Sequence, residues 1–332
     1  MLDLLTLLAG IALAVGGAHY LVDGGSAIAK RFNISTMVIG STVVVFGTSM
    51  PEFTVNIHSA FNGNTDLALG NVLGSNLFNI CMVIGVVCLI TPVAVGSDAA
   101  SNDLPMCLIA AAVIGICGNQ IYIDHINYHQ LFASDGLVFL LFFAIFMSYV
   151  YREAAASSSH HVKALKHGVS GTSKVEGGDA ETLSTSRSVI YLLAGLAGLV
   201  FGGEFIVDGA SGIAKSFNVE NRVIGLLIVG PGTSVPELFA SIAAARRMDV
   251  GMVLGNVLGS NIFNTFFTLG ATALILPIPL DLALNTVVLV NIGVTALLVV
   301  YVNAVRKPVL GRSMGALLLA IYAGYIINAL QQ

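Results

Sequence analysis

Sliding the sequence against itself by 185 residues aligns Leu8–Pro92 with Leu193–Pro277 without a gap, and about half of the aligned positions are identical. The match includes LVDGGSAIAKRFN (Leu21–Asn33) against IVDGASGIAKSFN (Ile206–Asn218), and LGNVLGSNLFN (Leu69–Asn79) against LGNVLGSNIFN (Leu254–Asn264). Two homologous halves must therefore build similar structures and pack against each other. What each half is made of follows from hydropathy. With 56% hydrophobic and 10% charged residues and a mean hydropathy of +0.90, the chain has too little polar surface to cover itself in water, and an integral membrane protein is expected.

Apolar runs of the length a bilayer core requires, about 20 residues, fall near 2–21, 36–60, 67–91, 105–122, 132–151, 188–207, 222–245, 251–276, 281–303 and 311–330. This predicts an all-α integral membrane fold of ten transmembrane helices, five per repeat. Residues 1–151 and 188–332 are the repeats. Residues 152–187, polar and rich in Ser and Gly, are expected to form a flexible cytoplasmic linker. The fourth span is interrupted by Gly118, Asn119 and Gln120. The N-terminus carries no basic segment or small-residue cleavage site, so no removable signal peptide is expected.

Five is an odd number, so a weaving chain enters its second half from the opposite side of the membrane. The basic residues test this, because Lys and Arg concentrate in cytoplasmic loops. With the N-terminus outside, only Lys215 and Arg222 of the 14 lysines and arginines fall outside, leaving 12 inside. Arg31 in one copy is Ser216 in the other, and Phe61-Asn62 is replaced by Arg246-Arg247, so basic residues come and go with the side each loop occupies. The reading is an inverted-topology repeat in a multi-pass plasma-membrane protein.

The chemistry is concentrated in two repeated motifs. GTSMPE (Gly47–Glu52) and GTSVPE (Gly232–Glu237) each put a glutamate near the middle of an apolar span, where a charge costs a few kcal/mol or more and faces a partner or a hydrated cavity. Pro51 and Pro236 lack an N–H and disturb the preceding turn, so the second and seventh helices are expected to be discontinuous there. Each motif then offers a carboxylate, hydroxyls from Thr48 and Ser49 or Thr233 and Ser234, and loosened carbonyls. The second motif places Asn71, Ser75 and Asn79 on one helical face, repeated as Asn256, Ser260 and Asn264. It could line the same site or serve as interhelical hydrogen-bond glue around Gly70 and Gly74.

An all-oxygen set selects hard cations. Two facing glutamates would neutralise one divalent ion such as Ca²⁺, and hydroxyls and carbonyls suit Na⁺. Competition for shared ligands would make exchange possible. Cys81, Cys88, Cys107 and Cys117 lie in spans without metal-ligand spacing and are expected to be buried small hydrophobes. His160, His161 and His167 are expected in solvent. Asp23 and Asp208 are placed near helix ends, in capping or interfacial roles. No basic stripe points to nucleic acid. An intramembrane hydrolase using Ser49 or Ser234 would lack a base, and duplicating its nucleophile would serve no single reaction. No enzyme activity, resident cofactor or obligatory protein partner is expected; the partners are the transported ions and the lipid bilayer.

Through the paired G-T-S-x-P-E and G-N-x-x-G-S-N blocks, separated by the same interval in both halves, the chain resembles the calcium/cation antiporter superfamily, and within it the prokaryotic sodium/calcium exchanger family. The resemblance implies ten helices in two inverted halves. It also implies that Glu52, Glu237, Thr48 and Thr233 hold Ca²⁺, and that Ser49, Ser75, Ser234 and Ser260, with carbonyls near Val45 and Gly230, form flanking Na⁺ sites. At Asn264 several family members carry aspartate; asparagine in both copies, Asn79 and Asn264, argues against K⁺ co-transport. The function expected is Ca²⁺/Na⁺ antiport by alternating access. Ca²⁺/H⁺ exchange is the alternative, and a cation channel fits multidentate glutamates less well.

Overall fold

The computed structural model describes residues 2–63, 66–117, 119, 130–166, 184–219, 228, 230–280 and 284–331. The fold is helical. α1 (Leu2–Phe32) is followed by α2 (Thr36–Thr48) and α3 (Met50–Phe61), then by α4 (Ala68–Ile90), α5 (Ala99–Cys117) and α6 (Ala133–Lys166). The second half contains α7 (Thr185–Ser216), one helical turn at Gly230–Gly232, α8 (Val235–Arg246), α9 (Val250–Ile275), α10 (Asn285–Ala304) and α11 (Arg312–Gln331). Among the described residues eight helices are long and apolar enough to cross a bilayer, and nine if α2 and α3, bent by 45° at their junction, count as one span. The start of the expected span 222–245 lies outside the described residues. Two-residue strands clip loops together: β1 (Val93–Ala94) pairs with β4 (Val309–Leu310), and β2 (Gln130–Leu131) with β3 (Ile278–Pro279).

Several boundaries differ from the hydropathy reading. α1 and α7 run about ten residues past the expected ends, so Asp23 and Asp208 sit inside helices and not at their termini. Both helices stop in the same way. Asn33 and Asn218 take φ of 52° and 56°, while Ile34 N–H donates to Ala29 O at 3.0 Å and Val219 N–H to Ala214 O at 3.1 Å. This is a helix-ending turn that asparagine tolerates better than most residues. α6 continues to Lys166, where an irregular linker was expected from Arg152. Its EAAAS and VKALK stretches are good helix formers, and extending an existing helix needs no new nucleus. Residues 167–183, including His167, lie outside the described set. α5 begins at Ala99 with a π-helical turn, ahead of Pro105. Cys81, Cys88 and Cys107 are buried and Cys117 partly so, all as free thiols, and Asp249 caps α9.

α4 and α9 are the most enclosed spans and α11 the least; the two repeats thus meet through their glycine- and asparagine-rich helices. Around them, α1 packs along the whole of α7. Gly10, Gly17 and Gly24 recur every seven residues on α1, as Gly195, Gly202 and Gly209 do on α7; Gly10 faces Gly202 and Gly17 faces Gly195, while Gly24 lies on Ser188 and Leu192 and Gly209 on Asp3 and Leu7. A Cβ at Gly202 would lie 2.6 Å from Ala14 N, and one at Gly24 2.6 Å from Leu192 N, so the helices touch backbone to backbone in the small-residue manner that substitutes for a hydrophobic drive in lipid. On α9, Gly259 lies against Ser41, with a Cβ position 2.9 Å from Ser41 Cα. For Gly70 and Gly74 the described residues bring nothing within 4 Å, and the repeat-related partner segment, residues 222–226, is outside the described set.

The glycine seam makes a sign-resolved prediction. Gly202→Ala should lower the melting midpoint of the purified protein by the equivalent of ~1–3 kcal/mol, the cost of overpacking. Gly293→Ala, where an added Cβ meets nothing within 4 Å among the described residues, should be neutral or gain up to ~1 kcal/mol of helix propensity. Equal effects at the two positions would contradict the packing.

Candidate functional site

The helix break expected at the GTSxPE motifs has the same backbone in both copies. Ser49 (φ −90°, ψ 7°) and Ser234 (φ −91°, ψ 8°) leave the helical region, and Met50-Pro51 and Val235-Pro236 begin the next helix with proline in its first turn. Proline costs nothing there because the first helical N–H groups have no partner. Glu52 and Glu237 consequently sit in the first turn of α3 and α8, where the free N–H groups and the helix dipole favour an anion. Both glutamates are completely buried.

Each glutamate is held by serines from both halves. Ser234 Oγ donates to Glu52 Oε1 at 2.9 Å, and Ser75 Oγ lies 3.4 Å from the same oxygen. Ser49 Oγ donates to Glu237 Oε1 at 2.8 Å, and Ser260 Oγ lies 3.3 Å from it. Ser49 and Ser260 are themselves 3.0 Å apart, and Ser75 and Thr233 3.3 Å. The serine of one break thus reaches the carboxylate of the other, so neither half forms the site alone.

A shell of asparagines fixes this core with the same symmetry. Asn256 Nδ2 donates to Glu237 O and Ser241 Oγ, while its Oδ1 accepts from Thr48 Oγ1 at 3.3 Å. Asn71 Nδ2 donates to Asn56 Oδ1 at 3.3 Å and lies 3.5 Å from Glu52 O, and its Oδ1 accepts from Thr233 Oγ1 at 3.3 Å. Asn79 and Asn264 are fully buried but make no bond to the glutamates among the described residues; Asn79 Nδ2 donates to Asn261 Oδ1 at 3.2 Å. Both lie in π-helical turns, Phe78–Val83 and Phe263–Leu269, a local distortion often found at functional sites.

Sequence reasoning passed over a polar seam between α4 and α9. Asn76 Nδ2 donates to Thr265 Oγ1 at 2.9 Å, and Asn261 Nδ2 to Asn76 O at 3.0 Å. The repetition of G-S-N in both halves carried the signal for Asn76 and Asn261. Thr265 corresponds to Ile80 and has none.

The bonding is incomplete in an informative way. Among the described residues Glu52 Oε2 and Glu237 Oε2 are buried with no hydrogen-bond partner, as are the oxygens Asn79 Oδ1, Asn76 Oδ1 and Asn264 Oδ1 and the amide nitrogens of Asn56 and Asn264. Buried polar atoms are almost always satisfied, so a group of orphaned oxygens marks a place built to receive something that supplies positive charge. No cluster of three or more His, Cys, Asp or Glu side chains occurs among the described residues; the site's formal charge is that of two glutamates, its other donors hydroxyls, amides and backbone. A cleft of about 420 Å³, lined by Met50, Val55, Gly203, Val207, Asp208 and Thr233 among others, leads up to Thr233 from one side.

Known proteins resemble the chain over nearly its whole length. A family model described as sodium/calcium exchanger protein matches residues 2–152 and 187–331. The inner membrane protein YrbG of Escherichia coli is 32% identical over 94% of this chain and 92% of its own length. The sodium/calcium exchanger MaX1 of Methanosarcina acetivorans is 28% identical over 98% and 97%. A solved structure of the sodium-calcium exchanger NCX_Mj superimposes with a TM-score of 0.78 at 32% identity, covering 98% of each chain. With its helical membrane fold and its repeated buried glutamates, the chain belongs to the sodium/calcium exchanger family.

Proposed function

We infer that the protein is a secondary antiporter that exchanges Ca²⁺ for Na⁺ across the plasma membrane by alternating access. The observation that carries this reading is the pair of fully buried glutamates whose second carboxylate oxygens have no partner. A charge left unpaired inside a bilayer costs several kcal/mol, and a divalent cation between Glu52 and Glu237 removes that cost for both at once.

In this reading Glu52, Glu237, Thr48 and Thr233 hold Ca²⁺. The hydroxyls of Ser49, Ser75, Ser234 and Ser260, with backbone carbonyls freed at the helix breaks, hold Na⁺ on either side, and Asn79 and Asn264 offer buried amide oxygens without partners among the described residues. Because Ser49 and Ser260 already bond to Glu237, and Ser75 and Ser234 to Glu52, an ion bound to those hydroxyls competes for the oxygens that Ca²⁺ needs. Mutual exclusion at shared ligands couples the two fluxes, and no catalytic group is required.

The ten-helix inverted arrangement, N-terminus outside and 152–187 inside, is part of the same proposal. It is supported by the loop contacts. β1 and β4, together with the bonds of Asp249 to Ser26 and Thr36, join segments that this topology puts inside. β2 and β3, and the reciprocal amide bonds of Asn119 and Asn285, join segments that it puts outside. Each of these links is between loops of the same side. An inverted pair of halves also brings equivalent residues together near mid-membrane, at the interface between the repeats.

Reconstituted in Na⁺-loaded liposomes, the protein should accumulate ⁴⁵Ca²⁺ when diluted into Na⁺-free buffer, and Glu52→Gln or Glu237→Gln should each reduce uptake at least a hundredfold. Ca²⁺ at about 100 times its dissociation constant should stabilise the wild type by ~2.7 kcal/mol, seen as a raised melting midpoint that both variants lack. Uptake driven only by a pH gradient would replace Na⁺ by H⁺ as the counter-ion. Transport retained in both variants would refute the site.

A further inference from the structure

The two halves are related by sequence, but the structure does not treat their two faces alike. Val55 is 40% exposed beside the cleft, whereas its repeat-related residue Ala240 is 3% exposed. Thr233 and Val207 are partly exposed and line the cleft, whereas their counterparts Thr48 and Val22 are completely buried. One face is thus open as far as Thr233, and its mirror image is closed among the described residues. In the topology proposed above, the closed side is the cytoplasmic one.

A cluster of polar contacts lies across the closed side. Arg247, in the turn between α8 and α9, forms an ion pair with Asp23 of α1, and its Nη2 donates to Asp23 Oδ2 at 3.1 Å. Two residues on, Asp249 accepts from Thr36 Oγ1 at 2.6 Å, from Ser26 Oγ at 3.2 Å and from Met252 N–H at 3.1 Å. Between them Met248 occupies the left-handed region (φ 58°) where the other copy has Gly63 (φ 71°). A bulky residue persists in that region only where its surroundings hold it. On the open side the counterparts of Asp249 and Thr36, residues 64 and 221, lie outside the described set, and the described counterparts make no equivalent contact. Asp208 has no ion pair or hydrogen bond among the described residues, Ser211 Oγ is buried without a partner, and the position matching Arg247 is Asn62, bonded to His58.

We propose that Asp23, Arg247 and Asp249 form a cytoplasmic latch that ties α1 to the α8–α9 turn and sets the balance between outward-open and inward-open states. α1 contacts α8 directly, so a path from Glu52 and Glu237 to the cytoplasm between these helices cannot open while Arg247 holds Asp23. The asymmetry is written in the sequence by the same change that serves topology: Arg246-Arg247 appears only in the copy whose loop faces the cytoplasm. The pair is half-exposed, with side chains 29% and 35% accessible, so its contribution is that of a modest ion pair, enough to move an equilibrium by about two- to fivefold. A latch of that strength can open on every transport cycle.

This inference rests on the exchange reading, and its test has an arm that does not. In oriented vesicles, Arg247→Gln should lower the half-saturating Ca²⁺ concentration at the cytoplasmic face by about two- to fivefold and raise it at the outer face. Asp23→Asn should do the same, and the double variant should shift no further than either single one. Independently of transport, a cysteine at Ala18 should react faster with a membrane-impermeant maleimide applied from the cytoplasmic side in Arg247→Gln than with Arg247 intact, above the labelling of the native cysteines. Shifts equal on both faces, additive single effects, or an unchanged labelling rate would overturn the latch.

Discussion

A carboxylate in the middle of a membrane has to be compensated, and the architecture around Glu52 and Glu237 is the means of doing so. One oxygen of each is met by serines from both repeats, and the other is left open. The two helix breaks, the asparagine shell and the glycine contacts all follow from that arrangement. Proline ends one helical segment so that another can begin at the glutamate. Asn71 and Asn256 then tie the backbone at each glutamate to a threonine hydroxyl of the opposite break. Glycines on α9 let that helix approach α2 closely enough for Ser260 to reach Ser49.

The reciprocity of these bonds explains why duplication suits this chemistry. A single repeat would leave Glu52 facing lipid or water. Two repeats supply each glutamate with the other's serine, and in the inverted arrangement proposed above they form a cage with two related entrances. Transport needs those entrances to be open alternately, so a perfectly symmetric molecule would still need a device to favour one state. Arg247 against Asn62 and Met248 against Gly63 differ at an entrance, whereas Glu52, Ser49, Ser75, Asn71 and Asn79 are identical to Glu237, Ser234, Ser260, Asn256 and Asn264; around the cage the copies differ at Asn56 against Ser241 and Ile80 against Thr265.

Much of this was legible in the sequence. The repeat, the apolar spans and the glutamates after proline are strong signals because each is a costly departure from what a membrane helix prefers. Ser49, Ser75, Ser234 and Ser260 could be named for the same reason, and the structure brings all four onto the carboxylates. Hydropathy failed where helices continue past the apolar core. It placed Asp23 at a helix end when α1 runs on to Phe32, and it ended α6 at residue 151 when Ala- and Lys-rich sequence carries the helix to Lys166. Thr265, which has no repeat partner, and the unequal opening of the two faces leave no local pattern at all; they exist only once the halves are packed.

The central claim is that two halves jointly build one cation site whose ligands Ca²⁺ and Na⁺ share. Equilibrium binding of ⁴⁵Ca²⁺ to the purified protein across a Na⁺ titration tests it most directly. The account predicts one Ca²⁺ bound per chain, displaced fully and with a sigmoidal dependence as Na⁺ rises. Two independent Ca²⁺ sites per chain, or Ca²⁺ binding indifferent to Na⁺, would contradict it.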